Sequence, residues 1–205
     1  MKINTNRWNI IRYTVYLPIY DALASVFSGY RKQSIDLLKL THKQRILIIG
    51  AGTGADLEYL EGQADITAVD LTPGMISRLK IRASKLHLAV DARVMDAHKL
   101  EFDDASFDVV ILHLILAVIP DPYLCIREVE RVLRPGGQMV IMDKFIQPNT
   151  RPSLMRRLVN PITDLFFSNI TRDVEEILGT TELEIIGNQQ LKSIFRLVYV
   201  MKRAD

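Results

Sequence analysis

The sequence contains a single cysteine, Cys125, among its 205 residues. One thiol cannot form a disulfide within the chain, and it cannot supply the paired cysteines of a structural zinc site. The four histidines also lack the spacing that metal ligands need. We therefore expect no metal centre, and we expect a reducing compartment, the cytoplasm, as the location of the protein.

Long apolar runs are missing as well. The longest, residues 109–120, is interrupted by His113 and is shorter than the roughly 20 residues that a membrane-spanning helix requires. The N-terminus has no uncharged apolar run followed by a cleavage site, so we expect no signal peptide. With 48% hydrophobic and 24% charged residues, the composition predicts a globular protein, and the length suits one α/β domain.

Acidic residues are scarce in two segments. Residues 1–45 contain eight Lys or Arg against two Asp, and residues 151–172 contain four Arg against one Asp. Because the net charge of the whole chain is only +2, the remainder is acidic. A basic segment can bind nucleic acid, anionic lipid or an acidic substrate, and the composition alone does not select among them.

What the sequence does contain is an alternation of strand and helix patterns from residue 45 onward. Apolar runs predict strands at residues 46–49, 66–69, 88–94, 107–112, 138–143, 182–186 and 194–201. Helices are predicted at residues 54–61, 72–84 and 173–178, and from Asp121-Pro122 to just before Pro135. This alternation predicts an α/β fold with a doubly wound parallel sheet, which binds ligands at the carboxyl ends of its strands.

The first predicted strand ends in a glycine-rich turn, Gly-Ala-Gly-Thr-Gly at residues 50–54. Glycine lets the backbone turn tightly and lets a ligand approach its N–H groups. Asp70 follows the second strand, 20 residues after the first glycine, where a carboxylate can accept hydrogen bonds from ribose hydroxyls. NAD and S-adenosylmethionine both carry such a ribose, so the turn and Asp70 leave both cofactors open.

Two further segments distinguish S-adenosylmethionine from NAD as the expected cofactor. They are Val-Met-Asp-Ala at residues 94–97 and Leu-Arg-Pro-Gly-Gly at residues 133–137. With them, the sequence resembles the class I S-adenosylmethionine-dependent methyltransferases. The resemblance covers roughly residues 45–145, in the segments ILIIGAGTGADLEYL, AVDLTPGMI, RVMDAHKLEFDDASFDVVIL and REVERVLRPGGQMVIMDKF. It implies a single-domain, Rossmann-like sheet of order 3-2-1-4-5-7-6 with strand 7 antiparallel. It also implies a helical cap at residues 1–44, a core at 45–205 and a lid-like insertion around 146–170.

The resemblance implies S-adenosyl-L-methionine as the cofactor. In such a site the glycine turn supports the methionine part, the first Asp binds the ribose and the second Asp accepts from the adenine amino group. Two apolar side chains flank the adenine, a backbone N–H follows the second Asp, and a residue at the end of the fourth strand lies near the methionyl end. The implied cofactor-binding residues are Gly50, Ala51, Gly52, Gly54, Asp70, Leu71, Met75, Asp96, Ala97 and His113.

One position departs from the family pattern. Ile48 stands two residues before the first glycine of the turn, where the family usually has an Asp or Glu that helps to position the ammonium group of the cofactor. We expect Asp56 or His113 to replace this carboxylate. We also expect modest cofactor affinity rather than loss of activity.

Three residues are candidates for catalysis on the acceptor side: His113, Tyr20 and Asp143. His113 ends the fourth strand and is either functional or a hydrogen-bonded core residue. Tyr20 belongs to a Tyr-Asp pair like the one that precedes the first strand in quinone and phospholipid methyltransferases, and is otherwise an aromatic core contact. Asp143 ends the fifth strand and either faces the substrate or caps a loop.

The expected reaction needs no protein nucleophile, because the methyl group is already activated and the protein mainly aligns the reacting atoms. As a whole, the chain is similar to phosphatidylethanolamine N-methyltransferases and to ubiquinone/menaquinone C-methyltransferases. We therefore expect a small-molecule or lipid acceptor, first a phospholipid amine head group and alternatively a prenylated quinone precursor. A non-catalytic module that binds a nucleotide cofactor is a third hypothesis. Without an RNA-binding domain, we expect no nucleic-acid partner.

Both basic segments also contain aromatic and apolar side chains. We expect them to contact an anionic membrane surface peripherally. The residues expected at that surface are Arg7, Trp8, Arg12, Tyr13, Tyr16, Arg156, Arg157, Phe166 and Phe167. The alternative for residues 152–168 is a helix packed on the domain.

Overall fold

Seven strands form one sheet in the computed structural model, which describes residues 4–41, 43–60, 62, 65–148, 150–192 and 194–204. The strands are β1 (Arg45–Ile49), β2 (Asp65–Asp70), β3 (Val90–Val94), β4 (Phe107–His113), β5 (Leu133–Lys144), β6 (Leu183–Gln190) and β7 (Phe195–Lys202). Their order is β3-β2-β1-β4-β5-β7-β6, and β7 is antiparallel to both of its neighbours. The predicted fold class and strand order are confirmed.

Helices cover the sheet. They are α1 (Asn6–Ser25), α2 (Ser28–Leu37), α3 (Pro73–Lys85), α4 (Pro122–Val132), α5 (Leu154–Phe166) and α6 (Val174–Leu178). The carboxylate of Asp121 caps α4 by accepting from the N–H groups of the first turn, and Pro122 follows as the first helical residue. The helix predicted at residues 54–61 is instead a five-residue 3₁₀ helix, Ala55–Tyr59, a form that suits short connecting segments.

The central strands are buried on both faces. Successive residues of β1 and β4 alternate between two apolar clusters, because side chains of a strand point to opposite faces in turn. Ile49 and Leu112 belong to one cluster, whereas Ile48 and Ile111 belong to the other, together with Ile35 of α2. Burial on both faces is typical of parallel sheets covered by helices.

Helix α1 is joined to the end of α5. The indole N–H of Trp8 donates to the carbonyl of Leu165 (2.7 Å), and the Tyr16 hydroxyl donates to that of Phe166 (2.6 Å). The guanidinium of Arg12 also donates to the Leu165 carbonyl (3.1 Å). The last carbonyls of a helix have no hydrogen-bond donor within the helix. Side chains of α1 therefore supply the donors for the last carbonyls of α5.

These contacts overturn one expectation. Arg12 is buried and donates to Asn9 (2.6 Å) as well as to α5, so the prediction that it reaches a membrane surface is wrong. Residues 152–168 do contain a helix, α5. The division into a cap, a core and a lid-like insertion stays a prediction. Within the part of the chain that the structure describes, no helix has the length and apolar character needed to cross a membrane.

Candidate active site

The turn after β1 requires glycine. Gly50, Gly52 and Gly54 have φ angles of +66°, +54° and +83°, a left-handed conformation that other residues rarely adopt. Space is also short, because a Cβ atom on Gly50 would lie 2.8 Å from Ile115 and one on Gly52 would lie 2.9 Å from the Tyr20 hydroxyl. In this turn, at the carboxyl edge of the sheet, the backbone therefore lies too close to neighbouring side chains to accommodate a Cβ atom.

Asp70, at the end of β2, is held by backbone donors. One carboxylate oxygen accepts from the N–H of Gly52 (2.9 Å), and the other accepts from the N–H of Thr72 (2.8 Å). Burial raises the pKa of Asp70, while these two hydrogen bonds act in the opposite direction. Each carboxylate oxygen has a second lone pair, so Asp70 keeps acceptor capacity for a ligand.

A cavity, which we call the first cavity, lies at this edge of the sheet. The structure brings together much of the predicted set there: the lining includes Gly50, Asp70, Leu71, Met75, Asp96, Ala97 and Tyr20. Among the described residues, no three His, Cys, Asp or Glu side chains are grouped so as to hold a metal ion.

Helix α1 also contributes Asn6 and Asn9 to the first cavity, two residues that sequence reasoning missed. Asn6 donates to the carboxylate of Asp96 (2.6 Å), whose other oxygen accepts from the N–H of His98 (2.9 Å). Asn9 and Tyr13 line the cavity as well. Residues 6, 9, 13 and 20 recur three, four and seven positions apart, which places them on one face of a helix. That spacing of polar and aromatic residues was the available signal.

Comparison with known proteins identifies the family. Residues 47–141 match the family described as a methyltransferase domain. A phosphatidylethanolamine N-methyltransferase from Cereibacter sphaeroides is 33% identical over 144 residues, covering 69% of this chain and 71% of the relative. The chain belongs to the S-adenosylmethionine-dependent methyltransferases.

Two further relatives agree with this assignment. A demethylmenaquinone methyltransferase from Listeria welshimeri is 29% identical over 197 residues, covering 87% of this chain and 81% of the relative. A solved SAM-dependent methyltransferase from Methanosarcina mazei is 25% identical, with a TM-score of 0.66 over 83% of this chain and 97% of that one. The resemblance to this family is confirmed, and with it the expectation of an enzyme.

The methyltransferase has Ile48 at the position of β1 where the family usually has a carboxylate. Ile48 is buried in the apolar cluster that includes Ile35. Asp56 is buried too, and one of its oxygens lies 2.7 Å from both the guanidinium of Arg31 and Nδ1 of His113. Burial raises the pKa of Asp56, but Arg31 and His113 outweigh it and hold the pKa well below its usual range. Asp56 is thus committed to an internal ion pair and does not line the first cavity.

His113 lies outside the first cavity, contrary to the expectation that it faces the methionyl end. Its Nδ1 contacts Asp56, and its Nε2 lies 2.8 Å from the hydroxyl of Ser34. Both ring nitrogens are occupied, and the side chain is buried. The physical reason is strand alternation: His113 shares the face of Ile111, which packs toward α2. His113 therefore joins α2 to β4 in the buried network Arg31–Asp56–His113–Ser34.

Asp143 is fully buried and caps a loop. Its two carboxylate oxygens accept from the N–H groups of Ala117 (2.7 Å) and Lys144 (2.8 Å). Burial raises the pKa of this carboxyl group, and the charge of Lys144 opposes that effect. Asp143 does not line the first cavity. Its contacts support the capping alternative, because they hold the loop after β4 that forms one wall of the first cavity.

A second cavity adjoins the first and shares Tyr13, Tyr20, Leu114 and Val118 with it. Its remaining lining is mostly apolar and aromatic, with two cations: Tyr16, Leu23, Ala24, Phe27, Arg31, Lys144 and Phe167. Burial raises the pKa of Tyr20 to about 12 and raises that of Tyr13 further. Both phenols are therefore neutral near pH 7.

Proposed function

We propose that the methyltransferase binds S-adenosylmethionine in the first cavity and methylates an amine in the second. The observation that carries this proposal is the shared wall of Tyr13, Tyr20, Leu114 and Val118 between the two cavities. Methyl transfer requires donor and acceptor to meet in line at a short distance. Two adjoining cavities at one edge of the sheet satisfy that requirement.

The donors and acceptors of the first cavity suit this cofactor. Asp70 offers free lone pairs to the two ribose hydroxyls, and Asp96 lies in the same cavity as an acceptor for the adenine amino group. Leu71 and Met75 supply apolar contacts for a flat base. When bound, S-adenosylmethionine supplies a methyl group that its sulfonium already activates.

The second cavity favours an amine over a carbon acceptor. A carbon acceptor needs a base in the site to remove a proton, whereas an amine can lose its proton to water before it enters and then attacks directly as the neutral form. The neutral phenols of Tyr13 and Tyr20 are poor bases, and His113 and Asp143 line neither cavity. The aromatic rings can also stabilise the methylated ammonium product, since cations bind favourably to aromatic faces. The tyrosines thus act by positioning the amine.

Two cations in the second cavity support an acceptor that also carries an anionic group. Lys144 donates to the Ser168 hydroxyl (3.0 Å) and keeps further N–H donors. Arg31 also lines this cavity and adds positive charge there, although its guanidinium is paired with Asp56. A phosphate group can accept charge-assisted hydrogen bonds from such donors. We therefore propose a phospholipid amine head group as the acceptor.

Carbon methylation of a prenylated quinone precursor is the second candidate, favoured by the apolar and aromatic lining of the same cavity. A non-catalytic cofactor-binding module is the third, motivated by Ile48. We expect S-adenosylmethionine or its demethylated product to raise the melting temperature, and NAD to leave it unchanged. We then expect label to pass from S-adenosylmethionine to phosphatidylethanolamine. Labelling of a demethylated quinone instead would favour the second candidate, and cofactor binding without transfer to either would favour the third.

A further inference from the structure

Helix α5 is amphipathic with its apolar side facing outward. None of its residues is buried, and Leu154, Leu158 and Ile162 are 71%, 67% and 62% exposed. Two of its polar side chains bind the protein: Asn160 accepts from the N–H of Ile170 (2.8 Å), and Asp164 accepts from Asn4 (3.2 Å). A surface helix of a globular protein normally has the opposite orientation.

Helix α1 has a matching apolar stripe. Ile11, Val15, Ile19 and Leu23 follow one another at intervals of four residues and are all exposed, so they lie along one side of the helix. The residues of α1 that line the first cavity lie on another side. The solvent-exposed side of α1 is therefore apolar, whereas the exposed side of a surface helix is normally polar.

The two apolar sides adjoin where the rings of Tyr16 and Phe167 stack, with their centroids 6.5 Å apart. We call the combined surface the α1–α5 face. It consists of Ile11, Val15, Ile19, Leu23, Val26, Leu154, Met155, Leu158, Val159, Ile162, Phe166 and Phe167, all exposed. Large contiguous apolar surfaces of this kind mark sites of contact with a protein or a membrane.

The exposed charges that α1 and α5 themselves place beside the α1–α5 face are positive. The acids of the two helices are turned away from it, since Asp21 binds Thr53 and Arg82, and Asp164 binds Asn4. Arg7 and Arg157 are exposed beside the apolar side chains. Such a surface is complementary to an anionic bilayer. The head groups of the bilayer attract cations, and the acyl boundary accepts apolar side chains.

We propose that the α1–α5 face docks onto an anionic lipid bilayer. The second cavity is lined by Leu23 and Phe167 of this same face, and by Tyr16 between them. Docking therefore brings the second cavity to the lipid head groups. The docking itself depends only on the exposed side chains, whereas the delivery of acceptor to the cavity rests on the proposed function.

Vesicle co-sedimentation tests this docking. We expect the protein to pellet with vesicles of phosphatidylglycerol and phosphatidylcholine, and less so at high salt because the arginines are screened. Val15→Gln combined with Leu158→Gln should reduce partitioning at least tenfold, because each removes exposed apolar surface from the contact. Ile81→Gln is the matched control, since Ile81 is an exposed apolar residue of α3 outside the face. Fluorescence of Trp8, the single tryptophan, should shift to the blue on binding.

Three results would overturn the docking proposal: no pelleting at low salt, equal loss of pelleting in Ile81→Gln, or lipid-free self-association that Val15→Gln and Leu158→Gln abolish. The last result would make a second copy of this chain the occupant of the α1–α5 face. Methylation of a short-chain, monomeric phosphatidylethanolamine should be unchanged in Val15→Gln and Leu158→Gln. Pelleting without methylation of any amine would leave the docking intact and refute the proposed function.

Discussion

The buried pair of Arg31 and Asp56 makes a strong prediction about stability. Their side chains are only 6% and 3% exposed, and the guanidinium lies 2.7 Å from the carboxylate. In Arg31→Met, Asp56 keeps its charge in the core with His113 as its remaining side-chain partner. Breaking a buried ion pair in this way costs about 3–5 kcal/mol. For a chain of this size, the melting temperature should fall by about 6–20 °C.

The pH dependence follows from the pKa of Asp56. In the wild type this pKa is held well below its usual range, so the stabilisation is present above the unfolded-state pKa of about 3.9 and is lost as the pH falls toward the folded-state pKa. In Arg31→Met, burial raises the pKa of Asp56, and protonation then relieves the unpaired charge. The difference in unfolding free energy should therefore be largest near neutral pH and should shrink below about pH 4.

Urea denaturation at pH 7 and at acidic pH measures both effects. Lys32→Met is the matched control, because it removes an exposed ion pair from the same helix. The side chains of Lys32 and its partner Asp36 are 61% and 59% exposed. Exposed pairs contribute about 0–1 kcal/mol. Adding Asp56→Asn to Arg31→Met should recover part of the loss, since no buried charge then lacks its partner. If Arg31→Met lowered the unfolding free energy no more than Lys32→Met does, the prediction would be wrong.

Three further predictions concern the cavities. Asp70→Ala should weaken binding of S-adenosylhomocysteine by about 1–3 kcal/mol in calorimetry, because ribose donors lose a charged acceptor; unchanged affinity would place the ribose elsewhere. Ile48→Glu should lower the unfolding free energy without tightening cofactor binding, since Ile48 lies in an apolar cluster; tighter binding would contradict this placement. Lys144→Gln should raise KM for a phosphate-bearing amine while changing KM for S-adenosylmethionine little; an unchanged KM for that amine would exclude Lys144 from head-group binding.

The sequence by itself determined the sheet and the core of the first cavity. Apolar runs that end in Gly50 or Asp70 are local patterns, and parallel strands bring their carboxyl ends to one edge whatever the rest of the chain does. For that reason the sequence predicts that Asp70 and Asp96, 26 positions apart, lie at one site. The order of the strands and the antiparallel seventh strand came from the resemblance alone.

Only the tertiary structure decided which way several side chains point. His113 ends a strand at the predicted edge, but alternation turns it toward α2, where Ser34 and Asp56 occupy its nitrogens. Asn6 meets Asp96 across 90 positions of sequence, a pairing that no local pattern encodes. The hydrophobic periodicity of α5 predicts an amphipathic helix but not which side meets the protein. That orientation depends on polar partners such as Asn4 and on the packing of α1, which exist only in the folded chain.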